Sequence, residues 1–212
     1  MDTARRLVRR QRRRVRLDND ARRTQLLELA RHIFADHSYD EVSIDDLARA
    51  AKISKGLLYH YFPTKRDLYV AALRVIAAEL VERVRAIPRD LPPADRVRAG
   101  LDAYLDHITQ HARAFVALMR GGIGSDPEVV HVIEGVRTTL SNEFLEGSPF
   151  APLLEKNVRF SIATRGWIGF VEQVSIDWCA EPKLSRDELR DLLAQILFAI
   201  IGAIAPQILR AG

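Results

Sequence analysis

The residues best equipped for chemistry lie between positions 43 and 68, SIDDLARAAKISKGLLYHYFPTKRDL. Ser54, Lys55, Gly56, Leu57, Tyr59, His60 and Tyr61 bring hydroxyl donors, a cation, an imidazole and flat apolar surface into one short stretch. On a helix that mixture suits the major groove of DNA. Lys55 reaches guanine O6/N7 or a phosphate, Leu57 meets a thymine methyl, and Tyr59 and Tyr61 donate hydroxyls to phosphate oxygens. Free N–H groups at helix starts marked by Ser43 and Thr64 can hold further phosphates, with Lys65 beside the second. The competing reading of these aromatics is core packing, which is adopted for Phe62 and stays open for Tyr59. Asp45 and Asp46 are acidic and receive no DNA contact, and Lys52 reads as a solvated turn residue.

Such a surface needs two short helices to carry it. Ser43 has N-cap chemistry for a helix through Ala50, with Asp45 and Asp46 favourable in its first turn. Ser54 repeats the signal for a helix ending at Pro63. A turn of three to four residues between them makes a helix-turn-helix, with Ile44, Leu47, Ala48, Ile53 and Leu58 as its internal core. The helix before it, capped by Asp18 or Asp20 and running to about Asp36, carries Leu26, Leu29, Ala30, Ile33 and Phe34 at helical spacing.

With Ser43, Leu47-Ala48, Ser54, Gly56, Leu58-Tyr59, Tyr61-Phe62, Lys65 and Leu68 in place, the segment resembles the DNA-binding domain of the tetracycline-repressor (TetR) family. The resemblance covers about residues 20–70. It implies phosphate contacts from Tyr59, Tyr61 and Lys65, and base-edge contacts from Lys55 and Leu57. It also implies a dimer built on the last two long helices, with the two reading helices about one DNA turn apart or a little more. One position departs from the family pattern. Lys52 stands where glycine is usual, so it must take a left-handed conformation or shift the turn, at a cost on the order of 1 kcal/mol.

The remainder reads as all-α, since prolines and glycines are scarce inside long periodic stretches. A fourth helix runs from Thr64 to the prolines at 88, 92 and 93. One or two helices follow over 94–120, then a break at Gly121 to Gly124 and a helix opened by Ser125-Asp126-Pro127-Glu128. After a break at Gly147 to Pro152, two more are expected, Leu153 to Ala180 and Ser185 to about Ala205. The expected organisation is a basic, flexible arm (1–18), a three-helix helix-turn-helix DNA-binding domain (19–65) and a larger C-terminal helical domain for ligand binding and dimerisation (66–212).

In that larger domain Trp167, Val171, Val174 and Trp178 form a stripe that ordinarily means core. Glu172 interrupts it, and Gly166 and Gly169 flank Trp167 as if leaving room. An effector pocket is therefore expected from Trp167, Phe170 and Glu172, completed by Tyr104, His107, Phe115, Met119 and Phe144. This is a mostly apolar cavity suited to a hydrophobic small molecule. The stretch 189–204, LRDLLAQILFAIIGAI, is apolar on nearly every side, and Leu192, Ile196, Leu197, Ile200 and Ile204 are assigned to a homodimer interface. The alternative for this helix is a central core position. The fourth helix, shared by both domains, is the expected lever between ligand and DNA.

Composition narrows the function classes. Residues 1–23 hold ten Arg against three Asp, a local +7 in a chain whose net charge is +4. A basic head on a slightly acidic body points to double-stranded DNA. No apolar run approaches the ~20 residues of a membrane span, so no membrane partner and a cytoplasmic location are expected. The single Cys179, the lack of a Cys/His cluster and the isolated His107/His111 pair argue against a structural or catalytic metal. No nucleophile or nucleotide-loop motif points to an enzyme or a cofactor. The reading is a ligand-responsive transcriptional regulator, most simply a repressor on a palindromic operator. The alternative is an architectural or constitutive DNA-binding protein without an effector.

Overall fold

The computed structural model describes the backbone over 2–145 and 157–204 and side chains over 19–143 and 157–204. Among the described residues the chain is entirely helical apart from turns, and it divides into two units, Met1–Val75 and Ile76–Gly212.

The first unit holds α1 (Asp2–Asp36), α2 (Ile44–Ala50), α3 (Lys55–Tyr61) and the start of α4 (Lys65–Arg85). The unit boundary falls inside α4. Helix α1 differs from expectation, because it begins at Asp2 and passes through Asp18 and Asp20 without a break. Its Arg, Leu and Ala are strong helix formers, and neither Gly nor Pro interrupts residues 2–36, so an arginine-rich stretch that reads as a flexible arm propagates the helix instead. Leu26, Ala30 and Phe34, four apart, form the buried stripe of α1. The edge of the Phe34 ring meets Tyr69 of α4 at 4.9 Å, and Tyr39 meets the same ring at 5.0 Å. Burial beside Asp40 and Tyr39 pushes the Tyr69 phenol up to about 12.

The α2–α3 turn is held by backbone geometry. Ile53 N–H donates to the Ala48 carbonyl (3.0 Å) and Lys52 N–H to that of Arg49 (3.1 Å). Together these two bonds make a Schellman motif, in which the residue after the C-cap is left-handed. Lys52 is that residue, at φ 53°. The departure from glycine is thus accommodated by conformation and not by a shifted turn.

The second unit holds the rest of α4, then α5 (Pro93–Gln110), α6 (Ala112–Arg120), a 3₁₀ turn (Gly122–Ser125), α7 (Pro127–Leu145), α8 (Val158–Ala180) and α9 (Arg186–Ile204). Pro93 opens α5, where a missing N–H costs nothing. Gly121 closes α6 where a Cβ would stand 2.3 Å from the Ala117 carbonyl oxygen, so only glycine lets the chain turn there. Asn157 caps α8 through Phe160 N–H (3.2 Å), and Ser185 with Glu188 forms a capping box on α9. Leu101, Leu105 and Ile108 of α5 are buried with Phe160, Trp167 and Val171 of α8 and with Leu189, Leu193, Leu197 and Ile201 of α9. Arg186 ties α9 to α5 through Asp102 (2.8 Å) and Asp106 (2.7 Å). No described helix is long and apolar enough to cross a membrane.

Candidate functional site

Helix α3 turns one residue inward and the rest outward. Leu58 is its single buried side chain, while Lys55, Gly56, Leu57, Tyr59 and His60 are exposed and Tyr61 is half-buried. Leu57 and Tyr59 keep 39% and 44% exposure, unusual for large apolar side chains and available to a partner surface. A Cβ on Gly56 would come no nearer than 4.0 Å to Ser54 Oγ, so the unit's own packing does not demand glycine there. Ser54 Oγ accepts from Leu57 N–H (3.2 Å), fixing the start of α3.

Several polar groups around this face are already engaged. Lys55 Nζ pairs with Asp45 Oδ1 of α2 at 2.6 Å, both side chains being 55% exposed. Ser43 and Asp46 form a capping box on α2, whose hydrogen bonds hold the Asp46 carboxyl below its ordinary value. Thr64 and Asp67 close the start of α4 in the same way: Asp67 N–H donates to Thr64 Oγ1 (3.0 Å) and Thr64 N–H to Asp67 Oδ2 (3.1 Å). A phosphate at either helix start therefore competes with a carboxylate.

Tyr61 donates its hydroxyl to Asn19 Oδ1 of α1 (3.2 Å). Lys65, expected on a phosphate, donates Nζ to the carbonyls of Tyr39 (2.9 Å) and Val42 (3.1 Å) and lies 3.8 Å from the centroid of the Tyr39 ring. It anchors the α1–α2 connection. The carbonyls that hold it lie 26 and 23 positions earlier in the chain, a relation spacing does not reveal.

The residues expected in an effector pocket separate into three groups. Tyr104, His107 and Trp167 are buried, Phe115 and Met119 are half-buried, and Phe170 is 38% exposed. The side chain of Phe144 lies outside the described residues. Trp167 belongs to the core and donates Nε1–H to the Leu193 carbonyl (3.0 Å). Gly166 and Gly169 leave no room beside it, since a Cβ on either would meet open space on the outer side of α8. Phe170 shares that outer side. Glu172 is taken by a two-pronged pair with Arg137, Nη2 to Oε2 at 2.6 Å and Nε to Oε1 at 2.9 Å, and Arg137 also reaches Glu134 (2.7 Å).

What the sequence reading missed is Ser175, fully buried against the Tyr104 phenol. Tyr104 Oη, His107 Nδ1 and Ser175 Oγ are buried; the phenol and the Ser175 hydroxyl are within hydrogen-bonding reach of each other, whereas His107 Nδ1 has no partner. A buried polar atom left without a partner costs about 1–3 kcal/mol. Tyr104 and His107 sit three apart on α5, hence on one face, and Ser175 of α8 lies against the phenol. Burial foremost, then the Glu172 charge, raises the Tyr104 phenol well above its ordinary value. Burial, with His111 and Arg83 nearby, pushes the His107 imidazole down to about 4, so it is neutral at pH 7. Alongside, α6 packs on α8 with Phe115, Val116, Leu118 and Met119 only half-buried.

The interface assignment is corrected at one residue. Leu197 is 1% exposed inside this chain's own core and has no surface to offer a partner. Ile196, Ile200 and Ile204 are partly buried against the same core, and Leu192 is 38% exposed. The outer face of α9 instead runs through Leu192, Gln195, Ala199 and Ala203, and that of α8 through Val158, Ile162, Gly166, Gly169 and Phe170.

A short outward helix on a capped helix-turn-helix, followed in the chain by an all-helical unit, defines a class of DNA-binding regulators. Residues 26–72 match the family described as bacterial regulatory proteins, tetR family, and residues 93–200 match the tetracyclin repressor-like C-terminal domain. The chain belongs to the TetR family. It is 34% identical over 115 residues to the HTH-type transcriptional activator FasR of Mycolicibacterium smegmatis, covering 54% of this chain and 52% of that protein. It is 29% identical over 126 residues to the HTH-type transcriptional regulator EthR of Mycobacterium tuberculosis, covering 58% and 56%. These alignments span about half the length of the curated relatives. The crystal structure of a tetR-family transcriptional regulator from Streptomyces coelicolor superimposes with a TM-score of 0.80 at 33% identity, covering 89% of this chain and 83% of that one.

Proposed function

We propose that the chain is a ligand-responsive transcriptional regulator that binds a palindromic double-stranded operator as a homodimer and leaves it when a hydrophobic small molecule occupies the second unit. The observation that carries the reading is the outward face of α3, where Lys55, Gly56, Leu57, Tyr59 and His60 stand exposed around a single buried leucine. Tyr61, Ser43, Ser54 and Thr64 border it, each able to exchange an internal hydrogen bond for a phosphate. Lys65 positions the unit instead of touching DNA.

Dimerisation is supported by the outer faces of α8 and α9. Val158 and Ile162 are 73% and 66% exposed, and the open glycines 166 and 169 let another helix come close. Helix α4 runs unbroken through the boundary of the two units, which makes it the natural carrier of a signal from ligand to reading helix. The regulator acts in the cytoplasm, where its operator lies. Its effect is repression, lifted when ligand binds and the dimer leaves its operator. FasR is an activator by its name, so transcription from the selected site, with and without ligand, decides the sign.

The test is selection of bound duplexes from a random DNA pool, followed by a screen for compounds that release the winner. A palindrome with half-sites about 10 base pairs apart or slightly more is expected. Enrichment without a motif, or equal affinity for all duplexes, refutes the reading in favour of an architectural DNA-binding protein.

A further inference from the structure

Helix α2, beside the reading helix, opens with two neighbouring carboxylates, and only one of them serves the helix start. Asp46 accepts from Ser43 N–H (3.2 Å) and from Arg49 Nη1 (2.9 Å), which commits it to the capping box. Asp45 takes no part in that cap. Among the described residues its ion pair is with the next helix, where Lys55 Nζ stands 2.6 Å from Oδ1 and both side chains keep 55% exposure. A pair so exposed adds little to stability, so the fold has small need of it. The backbone sets its place, because Ile53 N–H on the Ala48 carbonyl (3.0 Å) and the left-handed Lys52 fix the turn that brings α2 and α3 together. A carboxylate beside a face that meets phosphates is repelled by them unless the duplex offers it a donor.

Side by side, an ammonium and a carboxylate present a row of donors and acceptors. Lys55 Nζ carries three N–H bonds; one serves Asp45 and two remain, while the carboxylate keeps acceptor capacity at Oδ2. Read from lysine to aspartate, the row is donor, donor, acceptor. In the major groove a G·C pair shows the complement, since guanine N7 and O6 accept and the adjoining cytosine N4–H donates. T·A keeps the central acceptor and donor but sets the thymine methyl where guanine N7 would be. A·T sets adenine N6–H against the ammonium and thymine O4 against the carboxylate, and C·G sets cytosine N4–H against the ammonium and guanine N7 against the carboxylate. A lone lysine is a flexible point charge that takes guanine, thymine or phosphate with little distinction. The carboxylate adds the repulsion that makes it a discriminator.

We propose that Lys55 and Asp45 read one G·C pair in each half-site as a unit, the ammonium donating to guanine N7 and O6 and the carboxylate accepting from N4–H of the paired cytosine. Asp45 is then a specificity residue. The row of donors and acceptors ranks G·C first, T·A next, and A·T and C·G last. This rests on the reading of α3 as the helix that meets the bases of an operator.

The test uses the full chain as wild type, Asp45→Ala, Asp45→Asn and Lys55→Ala, at one fixed salt concentration. The duplex that wild type selects from a random pool is remade with each of the four base pairs at every position of its half-sites, and affinities are measured with melting temperatures alongside. Wild type should show one position where G·C binds about 5- to 100-fold tighter than A·T or C·G, with T·A between. In both Asp45 variants that ratio should fall below about threefold while the other positions keep theirs, and random-sequence duplex should bind more tightly because a like charge has left the interface. Lys55→Ala should lose the preference at the same position. A G·C preference unchanged in both Asp45 variants overturns the proposal, leaves Asp45 as a first-turn acid of α2 and leaves the operator reading standing. A preference weakened evenly at all positions, with a lowered Tm, also overturns it, since Asp45 would then shape α2. So does a wild-type motif with no G·C position that depends on Lys55. If wild type selects no motif, the proposal and the operator reading fail together.

Discussion

The two units differ in what they leave unpartnered. In Met1–Val75, Ser43, Ser54 and Thr64 are bonded into helix starts, Lys65 grips two carbonyls, Tyr61 is held by Asn19 and Lys55 by Asp45. In Ile76–Gly212, among the described residues, His107 Nδ1 is buried without a partner, α6 buries none of its apolar residues fully, and α8 exposes Val158, Ile162 and Phe170. The first is organised before it meets anything. The second leaves apolar faces that other molecules would cover, a second copy at the outer faces of α8 and α9 in the proposed dimer. A reader must hold its geometry to discriminate bases, whereas a sensor must gain more from its ligand in one state than in another.

The largest expected effect attacks the open side of that comparison. Ile162→Glu combined with Phe170→Glu should give monomers by analytical ultracentrifugation at micromolar concentration and weaken operator binding by about 10²- to 10⁴-fold, because each half-site then acts alone. A persistent dimer would show that the exposed face of α8 serves something else. Next, two lysines of the first unit should separate. Lys55→Ala should cost about 1–3 kcal/mol of operator discrimination with little loss of stability, its pair with Asp45 being exposed. Lys65→Met should cost about 2 kcal/mol of stability and leave the salt dependence of DNA binding unchanged. A shallower salt slope with intact stability would return Lys65 to the phosphates.

The buried imidazole of the second unit should also show itself in pH. A histidine whose folded pKa lies near 4 binds fewer protons folded than unfolded, so its contribution to stability is full above about 6.5 and is lost as pH falls towards 4. Between pH 7 and 5 the second unit should lose about 2 kcal/mol, measured by urea unfolding, and His107→Gln should flatten that slope. An unchanged slope in the variant would mean that acid sensitivity originates elsewhere.

Local chemistry made the reading unit legible. The caps at Ser43 and Ser54, the buried Leu58 and the strained turn at Lys52 each follow from a few neighbouring residues. The start of α1 did not, because a run of arginines describes a solvated tail and a helix equally well until its continuity with Leu26 and Ala30 is seen. Lys65 was assigned to a phosphate because a cation beside a helix start looks like a phosphate ligand, and its bonds to two distant carbonyls carry no sequence signal. In the second unit Trp167 and its flanking glycines looked like one cavity, yet successive residues of a helix point about 100° apart. The indole faces inward while the glycines face out. An all-round apolar α9 says that two surfaces are covered without saying which side is which, and so Leu197 was assigned outward. Ser175 carried no periodic or motif signal. Its place beside the Tyr104 phenol is set by tertiary packing alone.

The smallest effect tests how finished the reading unit is. Lys52 holds φ 53°, a region where a side chain costs on the order of 1 kcal/mol and glycine costs nothing sterically. Part of that gain is returned in the unfolded chain, where glycine has more freedom to lose. Lys52→Gly should therefore stabilise the protein by at most about 1 kcal/mol, seen as a small rise in Tm, with the two Schellman bonds of Ile53 and Lys52 kept. Because those bonds set the turn between α2 and α3, operator affinity should stay within about twofold of wild type, the loss of one exposed positive charge being the main perturbation. A fall in stability would mean that the lysine side chain itself supports the turn. A large fall in affinity with stability raised would make Lys52 a DNA contact, adding to the reading surface a residue that its turn position had assigned to solvent.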